Sequence, residues 1–364
     1  MTTASFLKRS FAEKTQTPLG TQGSDKGFAP QNEPSVVLKG WGSYLPEKVV
    51  TNDALSKTLD TSHEWIFQRT GIAQRHIVTP TQKTSDLALL AAEKALLKAG
   101  LVGGDIDLIL LATSTADHTF PATATRVQER LGAKGAAFDI NVACRWFVVA
   151  LAQADAFLKA GLFKRALVIG AETMSRLLDW NDRTTAILFG DGAGAFVLEA
   201  AEGGVLQKSS EESSNEAPFS PGFLGHLLQS DGKGYDALFV GGGVGCGRLG
   251  VIQMNGREVY KRAVQELWGV TETLLAQQKV SPSQIDWVVP HQANRRIIES
   301  VLDRLGVPHD KAVMTMDQHA NTSSASIPLA FDVACQKGQI KRGQLIAFQA
   351  FAAGFAWGAS LLRF

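Results

Sequence analysis

From Ser35 onward, short apolar runs alternate with stretches whose apolar positions recur at spacings of three and four residues. The first pattern is that of buried strands and the second that of amphipathic helices. The chain therefore reads as a succession of strand–helix units, the arrangement of an α/β protein. The pattern also repeats. DIDLILL, from Asp105 to Leu111, matches QIDWVVP, from Gln284 to Pro290. Each is followed by a helix of similar build: ATRVQERLG ends at Gly132 and IIESVLDRLG at Gly306. Further on, ALAQADAFLKAGLFKRALVIGAE resembles PLAFDVACQKGQIKRGQLIAFQA. In each copy an amphipathic helix is expected to stop at a glycine (Gly161 or Gly338), and a basic turn then leads into a buried strand. The copies are about 180 residues apart, far too long a period for a solenoid. One duplication of a half-molecule is expected, with halves over 36–203 and 204–364 and a site where they meet.

Residues 1–35 break the pattern. They are rich in Thr, Ser, Gln, Gly and Lys without sustained apolar periodicity, which predicts a flexible N-terminal extension. The opening MTTASFLKRSF faintly resembles an organelle transit peptide, but Glu13, Asp25 and Glu33 dilute its basic character. A plain extension on a cytoplasmic protein is the better reading; an organelle lumen would follow only from the transit peptide.

Composition narrows the function classes. Lys plus Arg number 36 against 35 for Asp plus Glu, so the net charge of +1 supplies no bulk attraction to nucleic acid or to a membrane surface. No apolar run reaches the roughly 18 residues that span a bilayer. Cys144, Cys246 and Cys335 are far apart and show no CxxC spacing, which argues against a disulfide framework and a structural zinc site. The histidines include no HExxH and no close pair, so no metal is expected. Gly245, Gly247 and Gly250 fit G-x-G-x-x-G, but VIQM follows and reads as a strand; a dinucleotide site is rejected. GDGAGAFVLEA, from Gly190, reads as a close approach of backbones ahead of a strand.

Three residues remain as candidates for chemistry. Cys144 stands where an apolar run ending near Val142 passes into a helical pattern, and a thiol at a helix N-terminus has its thiolate stabilised by free N–H groups and the helix dipole. His291 directly follows the buried run that ends at Pro290, where side chains face the crevice of an α/β sheet, although a histidine there is by itself more often a capping or core residue. Asn321, in DQHANTSSASIPLAF, stands at a second strand-to-helix junction, equivalent by the repeat to that of Cys144. It could simply cap the helix. The convergence of the three on equivalent element ends is what makes them a candidate site.

ACRWF around Cys144, PHQANRRI around His291, HANTSSASIP around Asn321 and the terminal FAAGFAWGASLLRF resemble the β-ketoacyl-acyl-carrier-protein synthase III family. So do HEWIFQRTGIAQRHI, ADHTFPATA, DRTTAILFGDGAGA and MNGREVYKRAV, in order from Val36 to Phe364. The resemblance implies a thiolase-like fold of five layers, αβαβα, and a homodimer. It implies that Cys144 takes an acyl group from an acyl-CoA and that His291 and Asn321 act on malonyl-acyl-carrier protein, in the first step of fatty acid synthesis or, as the alternative, in a related starter condensation of secondary metabolism. The backbone N–H groups of Cys144 and Ala353 would form the oxyanion hole, with alanine where the family usually has glycine. Trp65, Arg69 and Arg183 match coenzyme A contacts; coenzyme A enters only as a substrate thioester, and no cofactor is implied. Phe120 matches the aromatic residue that reaches the partner's acyl pocket. Arg296, with Arg295, Lys261 and Arg257, matches the carrier-docking surface, although an ordinary solvated charge explains Arg295 and Arg257 equally well. One departure stands out: Arg145 and Trp146 replace the family's small residue and glycine after the nucleophile. That implies either a reshaped acyl pocket at Trp146 or a degenerate acyl- or carrier-binding subunit. A papain-like cysteine protease shares the order Cys, His, Asn but not the duplicated α/β pattern.

Overall fold

The computed structural model describes residues 34–141, 146–201, 220–243 and 247–364, with only the backbone of Trp146, Gly243, Arg248 and Leu249. The expected extension, as far as residue 33, lies outside the described residues, and so does the expected boundary between 203 and 204. The described residues fall in one compact unit.

In chain order come β1 (Val36–Tyr44), β2 (Lys48–Thr51), α1 (Asn52–Leu55), α2 (His63–Thr70), β3 (Gln74–Ile77) and α3 (Thr84–Ala99). Then follow β4 (Leu108–Ala112), α4 (Thr123–Leu131), β5 (Ala136–Ile140), α5 (Trp146–Lys159), β6 (Arg165–Thr173) and β7 (Asp191–Ala200). The second half supplies β8 (Gly222–Ser230), β9 (Leu238–Gly243), β10 (Arg248–Met254), α6 (Gly256–Gln277), β11 (Trp287–Pro290) and α7 (Arg295–Leu305). It ends with α8 (Met316–His319), α9 (Ser326–Gln336), β12 (Leu345–Ala352) and β13 (Ala356–Arg363).

The repeat seen in the sequence is a repeat of topology. The first sheet runs β1-β7-β6-β4-β5 and the second, read from its other edge, β8-β13-β12-β11. In both, the first two pairings are antiparallel and the third is parallel. The place of β5 is held in the second sheet by a single parallel bridge, Val288 to Ala312. The helices close alike as well: α4 and α7 end on Gly132 and Gly306, at φ 68° and 67°, a left-handed backbone that glycine adopts without a Cβ penalty.

Each sheet is buried on both faces, which explains why its central strands read as unbroken apolar runs. Leu87, Ala91 and Ala95 of α3, with Val127 of α4, cover one face of the first sheet. Leu267 and Leu274 of α6, with Ile298 and Val301 of α7, cover the outer face of the second. Between the sheets, α5 and α9 bring Phe147, Leu151, Ile327 and Phe331 against Phe196 and Phe348. The result is five layers, αβαβα. The middle layer is an aromatic cluster, with the Phe147–Phe196 and Phe196–Phe331 rings edge-on at 4.9 Å, each pair contributing about 0.5 to 1.5 kcal/mol beyond its area. The close backbone approach expected at GDGAG is present at Gly190, just before β7, where a Cβ would lie 2.7 Å from the His319 carbonyl oxygen; Gly194, inside β7, instead makes room for the Pro328 side chain on α9.

Candidate active site

His291 follows the last residue of β11, and its N–H donates to the Gln349 carbonyl of β12 at 2.7 Å. The side chain is buried, and burial lowers its pKa to about 4, so the imidazole is neutral at pH 7. Its Nδ1 lies 2.6 Å from Ser326 Oγ, at the start of α9. That oxygen also accepts the Gln292 N–H at 3.3 Å; when the hydroxyl donates its proton to Nδ1, the ring proton stands on Nε2.

Asn321 lies between α8 and α9. The sequence suggested a strand-to-helix junction there; the structure corrects this to a one-residue bridge with Phe189 and a short 3-10 turn. The two bonds of that bridge run from the Asn321 N–H to Leu188 O and from the Gly190 N–H to the Asn321 carbonyl, and the positive φ of Ala320 and Ser323 on either side keeps it from lengthening into a strand. Its side-chain Oδ1 accepts the Ser323 N–H at 2.8 Å. A backbone N–H can only donate, so Oδ1 is the acceptor and the amide N–H groups are left for the cavity.

Both residues line one cavity of about 210 Å³, with Phe189, Gln349 and an apolar wall from α6 and α7. At Gly256, Tyr260 and Asn294 it meets an outer cleft of about 590 Å³ that holds Trp65, Arg69, Arg257 and Arg296. On the far side of Phe189 a smaller cavity of about 90 Å³ is lined by Ala353, Ser114, Ser323, Leu238 and Ile252.

The other candidates divide. Arg69 and Arg183 lie 4.6 and 5.4 Å from the Trp65 ring, and Arg183 also pairs with Asp60 at 3.1 Å. These contacts hold the indole at the cleft rim. Arg257 and Arg296 line the cleft, and Lys261 is exposed one turn further along α6. Arg295 points elsewhere: its guanidinium covers the Phe67 ring at 4.9 Å and ties α7 to α2. Phe120 is 83 % exposed. Cys144, Arg145, Cys246 and the Trp146 side chain lie outside the described residues; α5 begins at Trp146, two residues past Cys144. Cys335 is described, and burial pushes its thiol up to about 12, the condition of an inert cysteine.

Sequence reasoning passed over Ser326, Gln349 and Glu172. Gln349 lines the cavity with an Nε2 that has no hydrogen-bond partner among the described residues. Its signal was available: a lone polar residue inside LIAFQAFA, an otherwise apolar strand.

Comparison with known proteins bears on the family and the fold. The sequence profile described as 3-oxoacyl-[acyl-carrier-protein (ACP)] synthase III matches residues 138–214, and that of its C-terminal region matches 275–364. A β-ketoacyl-[acyl-carrier-protein] synthase III from Erythrobacter litoralis is 54% identical over 329 residues, covering 90% of this chain and 98% of the relative. One from Rhizobium meliloti is 50% identical over the same shares. Among solved structures, the 3-oxoacyl-[acyl-carrier-protein] synthase III of Aquifex aeolicus superposes with a TM-score of 0.83 at 41% identity, covering 90% of this chain and all of that one. The priming β-ketosynthase of the R1128 polyketide pathway gives 0.82 at 30% identity, covering 92% and 98%.

Proposed function

This chain belongs to the β-ketoacyl-[acyl-carrier-protein] synthase III family, and we propose that it condenses an acyl-CoA primer, acetyl-CoA in the first instance, with malonyl-acyl-carrier protein to begin fatty acid synthesis. In the first half-reaction the Cys144 thiolate attacks the acyl-CoA carbonyl, and the thiolate of coenzyme A leaves. In the second, malonyl thioester loses carbon dioxide, and the electron pair of the broken C–C bond passes into an enolate. His291 Nε2–H and the Asn321 amide donate to the enolate oxygen as its charge develops. The enolate carbon then attacks the Cys144 thioester, a new C–C bond forms, and the cysteine leaves as thiolate. The backbone N–H groups of Cys144 and Ala353 would hold the oxyanion of that step.

The observation that carries this reading is the pairing of His291 and Asn321. Two neutral donors face one apolar cavity, the first kept uncharged by burial and the second oriented by the Ser323 N–H. Such donors act most strongly where water is excluded and charge appears only in the transition state. The basic outer cleft supports the same reading: a phosphorylated carrier arm would enter past Arg257 and Arg296. Phe120, exposed in one chain, would close the acyl cavity of a second copy in a homodimer. No described helix is long and apolar enough to cross a membrane; the proposed location is the cytoplasm.

Acetyl-CoA and malonyl-acyl-carrier protein incubated with the protein should give acetoacetyl-acyl-carrier protein, free coenzyme A and carbon dioxide in equal amounts, read by intact mass and carbon dioxide release. Absence of the condensed product, with Cys144 still acylated, would favour the degenerate-subunit alternative raised by Arg145 and Trp146. The Trp65 contact makes its own claim. Trp65→Ala should raise the KM for acetyl-CoA by about tenfold, the scale of a lost stacking contact, with little change in kcat at saturation. An unchanged KM would remove Trp65 from the coenzyme A site.

A further inference from the structure

Behind Asn321 lies a buried carboxylate that no step above uses. Glu172, near the end of β6, is fully buried and has no ion pair among the described residues. Its Oε2 accepts from Thr115 Oγ1 at 2.7 Å, Ser114 N–H at 3.0 Å and Thr113 Oγ1 at 3.3 Å. Its Oε1 accepts from the Ser323 and Ser324 hydroxyls, each at 3.0 Å, with the Ser114 N–H reaching it at 3.1 Å. The Ser114 N–H, which can only donate, and the Thr115 and Ser323 hydroxyls suit a carboxylate acceptor, while the single Ser324 proton is shared with the Ala112 carbonyl at 2.8 Å. Burial pushes its pKa up, and the hydroxyls and the N–H oppose that shift.

These donors come from two places. Residues 113–115 follow β4 of the first half, and Ser323 and Ser324 follow Asn321 in the second. Glu172 thus fastens one loop of each half, and Ser114 and Ser323 both line the small cavity that holds Ala353. The second loop comes so close to β6 that a Cβ at Gly170 would lie 2.4 Å from the Ser324 carbonyl oxygen.

The Asn321 loop needs such an anchor. Ala320 and Ser323 have φ of 59° and 51°, backbone that side-chain-bearing residues adopt at a cost of about 1 to 3 kcal/mol each, so the surroundings must hold it in place. Ser323 is held through its hydroxyl by Glu172, and its N–H in turn holds Asn321 Oδ1. We propose that Glu172 is a positioning residue for the condensation, acting through Ser323 to keep the Asn321 amide N–H groups turned toward the substrate. This rests on the role proposed above for Asn321.

Acylation of Cys144 does not use Asn321, so a loosened loop should damage one half-reaction and spare the other. Glu172→Gln keeps the shape and removes one acceptor. Ser323→Ala removes the hydroxyl but keeps the Cβ and the backbone N–H. Each variant, with Asn321→Ala alongside, is assayed for malonyl-thioester decarboxylation and, separately, for acetyl transfer onto Cys144. Both should lose about 10- to 100-fold in kcat for decarboxylation, the scale of a misplaced catalytic group, while acetyl transfer stays within about threefold. Normal decarboxylation by Asn321→Ala would overturn the role of Asn321 itself. Loss in Asn321→Ala with normal decarboxylation in Ser323→Ala and Glu172→Gln would overturn the role of Glu172 alone. So would an equal loss in both half-reactions, the mark of a merely structural residue. Should Glu172→Gln fail to fold, Ser323→Ala decides by the same criteria.

Discussion

Incubated with acetyl-CoA, the protein should gain one acetyl group per chain, on Cys144, and Cys144→Ser should gain none. Removing the nucleophile of a covalent mechanism abolishes the intermediate instead of slowing it, so condensation should fall by on the order of 10³-fold or more. The sequence puts Cys144 where an apolar run passes into a helical pattern, and at such an expected helix N-terminus free N–H groups and the dipole favour a thiolate. Cys335 is the control within the same chain: burial holds its thiol near 12, so almost none is thiolate at neutral pH. Peptide mapping of the acetylated protein makes the check direct. Label recovered on Cys246 or Cys335, or retained in Cys144→Ser, would remove Cys144 from its role.

His291→Ala and Asn321→Ala should each slow malonyl decarboxylation by about 10² to 10³, the usual loss when one preorganised donor to a developing oxyanion is deleted. Acetyl transfer to Cys144 should change far less, because no enolate forms in that step. The two losses should also combine less than multiplicatively, since both donors serve one oxygen and act as a unit. Single-turnover assays with acetyl-CoA alone and malonyl thioester alone separate the half-reactions. If both variants decarboxylate at the wild-type rate, the cavity they share is not where the malonyl group reacts.

Sequence alone determined the architecture and the kind of chemistry. Apolar periodicity is a local property, so β4 and β11, or α4 and α7 with Gly132 and Gly306, could be matched from residues adjacent in the chain. Their matching order foretold two sheets of like topology. His291 was legible for a related reason, since a polar residue directly after a buried apolar run stands near the edge of a sheet; no such run precedes Asn321, which was legible only through the repeat and the HANTSSASIP motif.

Tertiary structure alone decided how those groups are held. His291 meets Ser326 across 35 residues, and Glu172 meets Ser323 across 151. The first forms only when α9 packs beside β11 and the second only when the halves pack, and a hydroxyl carries no mark of the partner it will find. Arg295 and Arg296 show the limit on a smaller scale. Neighbours on a helix differ by about 100° in direction, so the sequence could not say which faced Phe67 and which the cleft. The position of α2 settled it, because packing the aromatic ring of Phe67 against α7 leaves one arginine to cover it and turns the next toward solvent.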